Sequence, residues 1–74
     1  MIEKVKEILS EFTEMKAEQM SADTKLVADM GLNSFDVVNV VVAFEEEFDI
    51  EIPDKDIRGL QTVGNIVDYL EAHV

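Results

Sequence analysis
The chain has no cysteine, and its one histidine is His73. Disulfide staples are therefore ruled out, and zinc lacks both the thiolates and the second imidazole it would need. A lone histidine near the C-terminus also leaves Ser34 without the base and orienting group of a hydrolase, so a catalyst is not expected. Basic residues are scarce: 6 Lys and Arg stand against 17 Asp and Glu, a formal charge of -11. That field repels nucleic acid and anionic membranes and speeds encounter with Lys/Arg-rich protein surfaces. Its plainer role is solubility, and it costs stability through self-repulsion that salt or divalent cations relieve. An EF-hand is excluded, because the best alignment, from Asp54, puts Arg58 where an oxygen ligand is required and Asn65 where a bidentate Glu belongs. No apolar run approaches the ~18 residues of a membrane span, and Met1-Ile2-Glu3-Lys4 lacks the charge order of a signal peptide. A soluble, cytoplasmic protein is expected, and the absence of cysteine fits that compartment. The length allows one domain, 1–74, since halves would be too small to bury a core.

What is present is helical period. From Ile2 to about Met15, Val5, Ile8, Leu9, Phe12 and Met15 recur at helical spacing with charged residues on the other faces. This predicts an amphipathic helix packed on a core. Residues 16–33 show no sustained period. Ser21, Asp23 and Thr24 are turn formers there, while Leu26, Val27 and Met30 are expected to lie against the core. So long a connection in a small domain is uncommon and is usually functional or disordered; its delivery of the chain to Ser34 favours function. Gly31 suits a positive φ, a close backbone approach or a simple turn.

The functional reading turns on Gly31-Leu32-Asn33-Ser34-Phe35-Asp36. Asn33 is a strong N-cap type, and Asp36 stands where a third helical residue reaches back to the cap. Ser34 is then the first helical residue. Unpaired N–H groups there, with a macrodipole worth about half a positive charge, favour an anionic group. The Ser34 hydroxyl is thus well placed to carry a phosphate ester, although spacing alone also fits an ordinary helix start.

Five valines between Val37 and Val42 favour a strand on propensity. The cap signals, an apolar pattern running on to Phe48 and the lack of a partner strand predict a helix instead, Ser34 to about Phe48. Its core face is Val37, Val40, Val41, Phe44 and Phe48. Phe35, Val38 and Val42 make a second stripe flanked by Glu45 and Glu46, the arrangement of a docking face or of a helix packed on two sides. Pro53 opens a short helix, Asp54 to Gly59. Thr62 caps a last helix carrying Val63, Ile66, Val67 and Leu70, with Tyr69 at its edge and His73 near its fraying end.

In order, Leu26-Val27-Ala28-Asp29-Met30-Gly31-Leu32-Asn33-Ser34-Phe35-Asp36, Phe44-Glu45-Glu46-Glu47-Phe48, Ile52-Pro53-Asp54 and Thr62-Val63 resemble the acyl carrier proteins. The resemblance runs from Leu26 to Leu70. It implies an all-α fold, a small four-helix bundle of three long helices and one short, with a long loop between helices 1 and 2. It also implies that a phosphopantetheinyl transferase attaches 4′-phosphopantetheine, from coenzyme A, to Ser34, which matches the serine of the family's Asp-Ser-Leu motif. The arm's thiol would hold acyl groups as thioesters for fatty-acid or polyketide-type enzymes, and the protein would be a monomeric carrier with no activity of its own. Phe35, Asp36, Val38, Val42, Glu45 and Glu46 match positions that contact partner enzymes with basic patches. Three departures stand out: Asn33 for the usual Asp, Asn39 for an acid common on the second helix, and Phe35 for the usual Leu. They leave attachment intact but open a specialised pathway. The alternatives are an aminoacyl carrier and a small acidic adaptor without a prosthetic group.

Overall fold
Apolar residues spaced for helices become three helical faces around one core. The computed structural model describes residues 1–74. Its helices are α1 (Ile2–Leu9), α2 (Ser34–Phe48), α3 (Asp54–Ile57) and α4 (Val63–His73), with a 3-10 turn at Ala17–Gln19 in the first connection. The only sheet-like pairing is one isolated antiparallel bridge between Lys25 and Thr62. The fold is all-α, with three longer helices and one short.

Helix α1 contributes Val5, Ile8 and Leu9 to the core, α2 contributes Val40, Val41 and Phe44, and α4 contributes Val63, Ile66 and Leu70. Burying each such side chain stabilises the fold by about 1.5–3 kcal/mol. α1 packs against both α4 and α2. In α2 the five valines are helical, because the cap commits the chain and a 3.6-residue period brings the adjacent Val40 and Val41 to the core while Val38 and Val42 face outward. Val37 and Phe48, expected on that face, are only half-buried at its margins.

α1 ends at Leu9, not near Met15. The Ser10 hydroxyl donates to the Glu7 carbonyl at 2.6 Å, and the Glu11 and Phe12 N–H groups donate to the Ile8 and Leu9 carbonyls. This i→i+3 pattern tightens the chain out of the α-helix. The Thr13 hydroxyl then donates to the Met30 carbonyl at 3.0 Å. Phe12 and Met15 stay half-buried on the core through these turns, so the apolar period outlasts the helix.

The long connection is pinned at several points. Met20, Leu26, Met30 and Leu32 are buried in it, and the Leu26 N–H donates to the Gln61 carbonyl at 2.9 Å. The Val63 and Gly64 N–H groups donate to the Thr24 and Ala22 carbonyls, which fastens the loop to the start of α4. Val27 departs from expectation: it is 62% exposed, on the outer side of the turn that buries its neighbour Leu26. Gly31 has φ +75 with open space where a Cβ would stand, so of the three readings the positive φ is the one realised. The short helix also stops earlier than expected, at Ile57, and an i→i+3 turn carries the chain to Leu60.

Candidate functional site
Ser34 is the first residue of α2, and its side chain is exposed. The local sequence enforces this placement. Asn33 Oδ1 accepts the Asp36 N–H at 2.8 Å, while the Asp36 carboxylate accepts the Asn33 N–H at 3.2 Å. The reciprocal box is as expected and holds the helix mouth open at Ser34. The Ser34 and Phe35 N–H groups have no protein acceptor, so this end of a fifteen-residue helix presents free donors and the positive end of its dipole. An anionic ester on Ser34 Oγ fits these surroundings.

Beside Ser34 runs a groove of about 700 Å³. Its walls are the first turns of α2 (Ser34, Val37, Val38), loop residues 25–28, and the segment from Ile57 to Thr62. Leu26 and Leu60 are buried at its floor. The volume lies in the range of small-ligand sites. Sequence reasoning missed this groove, because three separate segments build it and only their tertiary approach creates the space.

The expected docking residues divide into two groups. Phe35, Val38 and Val42 are 74%, 49% and 44% exposed, one apolar ridge along the outer side of α2, with the exposed Glu46 beyond them. Asp36 and Glu45, by contrast, are half-buried and hydrogen-bonded within the chain. The Asp36 carboxylate serves the cap, and Glu45 Oε2 accepts the Ile52 N–H at 2.8 Å, holding the α2–α3 connection. Val27 adds exposed apolar surface on the loop side of the groove, with no periodic signal to announce it.

Outside the groove, Tyr69 Oη donates to Asp56 Oδ2 at 2.8 Å, joining α4 to α3 next to the wall residue Ile57. Burial raises the Tyr69 pKa above the ordinary phenol value, reinforced by the hydrogen bond and charge of Asp56 and by the charge of Glu45. The Tyr69 ring stacks on His73 at 4.0 Å between centroids.

Residues 3–70 match the family model of the phosphopantetheine attachment site. The chain belongs to the acyl carrier protein family. It is 36% identical over 73 residues to the acyl carrier protein of Clostridium perfringens, covering 99% of this chain and 96% of that one. It is 42% identical over 69 residues to that of Akkermansia muciniphila, covering 93% and 86%. The solved acyl carrier protein from Enterococcus faecalis superposes with a TM-score of 0.86 at 32% identity, over 99% of this chain and 92% of that one. An acyl carrier protein holds acyl groups on phosphopantetheine and presents them to acyl-processing enzymes. The family is generally non-catalytic, and no helix here is long and apolar enough to cross a membrane.

Proposed function
We propose that Ser34 is the attachment residue, within one carrier domain spanning 1–74. The supporting observation is an exposed hydroxyl on the first residue of α2, beside free N–H donors and at the edge of the groove. When attached, the arm supplies a thiol that holds acyl groups as thioesters. The chain's own residues do the rest. Asn33 and Asp36 fix the helix mouth, the N–H donors and dipole favour the phosphodiester, and the groove shelters the apolar part of the cargo.

A phosphopantetheinyl transferase is the modifying enzyme in this reading, and the carrier works as a cytoplasmic monomer. Phe35, Val38 and Val42 form the apolar centre of the docking face for enzymes with basic patches. Glu46 is its free charge, while Asp36 and Glu45 act mainly by shaping the helix ends. The net charge of -11 steers such partners.

Incubation with a phosphopantetheinyl transferase and coenzyme A should raise the intact mass by one phosphopantetheinyl group. Ser34→Ala should remain unmodified. Wild-type protein left unmodified by several transferases, or a modified Ser34→Ala, would overturn the assignment.

A further inference from the structure
The chain has three asparagines, Asn33, Asn39 and Asn65, and the residue that follows each one sets them apart. Asn39 precedes Val40 in the middle of α2, and Asn65 precedes Ile66 in the first turns of α4. Both followers are buried and β-branched, and the Ile66 N–H is committed to the Thr62 carbonyl at 3.2 Å. Asn65 Oδ1 also accepts the Gln61 and Thr62 N–H groups. Asn33 instead precedes the small Ser34, and both residues are exposed. The Ser34 N–H has no protein acceptor, because it is the first N–H of a helix.

The cap prepares Asn33 for attack by that nitrogen. The hydrogen bond from the Asp36 N–H, at 2.8 Å, folds the side chain over the first turn of α2 and polarises its carbonyl. The carboxamide nitrogen makes no hydrogen bond within the protein, so nothing holds it as a leaving group. The positive end of the α2 dipole favours the negative charge that develops on the attacking nitrogen and on Oδ1.

We propose that Asn33 is a self-modification site, converted through a cyclic succinimide to aspartate and isoaspartate. Ser34 N gives its proton to solvent base and bonds to Asn33 Cγ; the Cγ–Nδ2 bond breaks, and ammonia leaves. Water then opens the ring. Attack at the side-chain carbonyl restores the ordinary backbone with an aspartate at position 33. Attack at the backbone carbonyl leaves Ser34 joined through the side chain, an isoaspartate with one extra methylene in the main chain. The aspartate keeps the cap, whereas the isoaspartate moves Ser34 off the first helical position. With attachment at Ser34, the reading on which this consequence alone rests, the isoaspartyl form is the poorer acceptor of the arm.

The test incubates the full chain for days in mildly alkaline buffer, followed by isoelectric focusing, peptide mass mapping and isoaspartyl methyltransferase labelling. Ammonia loss at Asn33 should run at least about tenfold faster than at Asn39 or Asn65, whose neighbours must first leave a helical turn. It should speed up with pH and yield isoaspartate at position 33. Ser34→Pro has no N–H to attack with yet suits the first position of a helix, so it should keep the fold and lose the reaction. Loss spread evenly over the three asparagines, or undiminished in Ser34→Pro, would overturn the proposal. Loading of the separated forms with a phosphopantetheinyl transferase and coenzyme A reads the consequence. The aspartyl form should load like fresh protein, and the isoaspartyl form at least about tenfold more slowly, since the hydroxyl is misplaced. Equal loading of the two forms would overturn the consequence alone. Fresh protein that never loads would overturn the attachment reading and leave the ammonia loss standing.

Discussion

The Tyr69 hydroxyl donates to the Asp56 carboxylate at 2.8 Å, so a side chain near the end of α4 fixes the short helix that walls the groove beside Ser34. α3 is only four residues long and holds no buried residue of its own. Its position therefore depends on contacts from outside, and this hydrogen bond is one with a definite geometry.

Tyr69→Phe removes that bond and should lower stability by about 1 kcal/mol at neutral pH. The pKa of Tyr69 is raised by burial first and by Asp56 and Glu45 after it. A phenol whose folded pKa exceeds its unfolded value contributes stability that is fully present below pH ~10 and is lost as pH rises through the folded value. Urea unfolding of the wild type should therefore show an added loss above about pH 10 that Tyr69→Phe lacks. Parallel pH profiles for the two proteins would disprove this role.

The two adjacent acids of α2 should separate under charge reversal. Glu45→Lys removes the acceptor of the Ile52 N–H and should lower stability by about 1–3 kcal/mol. Glu46→Lys touches nothing in the fold and should leave stability within about 0.5 kcal/mol. Glu46→Lys should nevertheless slow association with an acyl-processing enzyme and flatten its salt dependence. Stopped-flow association alongside urea unfolding checks both halves, and equal stability losses would refute the distinction.

This pair also shows how far the sequence could be read. α2 was legible to the residue because its signals are local: an Asn33–Asp36 box and an apolar stripe of helical period. The outward ridge of Phe35, Val38 and Val42 followed from the same arithmetic. Periodicity reports a face, however, and not a hydrogen-bond partner. Glu45 lies on the same stretch as Glu46, and only the return of the chain at Ile52 gives it a structural task. The same limit explains α1, where Phe12 and Met15 keep the helical spacing through turns that are no longer α-helical. The groove was illegible for the same reason, since Lys25, Ser34 and Arg58 meet only in three dimensions.

Gly64 occupies the first turn of α4 where the loop crosses it. An added Cβ would lie 2.9 Å from the Ala22 carbonyl oxygen and 3.3 Å from the Ala22 Cβ. The Gly64 N–H also donates to that carbonyl at 2.8 Å, so the loop cannot retreat without losing the bond. Gly64→Ala should destabilise by about 1–3 kcal/mol, even though alanine is the better helix former by about 1 kcal/mol. At Gly59 the same substitution meets only an ordinary 3.5 Å contact and serves as the control. Thermal unfolding of the two variants decides the matter, and a Gly64→Ala protein as stable as Gly59→Ala would show that the loop can shift freely.

Asn33 departs from the Asp expected from the family resemblance, and the cap geometry says what that exchange does. The side-chain oxygen accepts the Asp36 N–H at 2.8 Å, a role that an aspartate fills equally well. Asn33→Asp should therefore keep stability within a few tenths of a kcal/mol, the dipole's gain offsetting repulsion from the nearby Asp36 carboxylate. Asn33→Ala leaves that donor without its acceptor and should cost about 1 kcal/mol, with fraying confined to the first turn of α2. Amide hydrogen exchange at Asp36 and Val37 reads the fraying directly: faster exchange in Asn33→Ala, unchanged exchange in Asn33→Asp. With attachment at Ser34 on that same turn, as proposed, the alanine variant should also take up the phosphopantetheine arm more slowly, while the aspartate variant should not. Equal exchange in the two variants would mean that the helix mouth is held by something other than this cap.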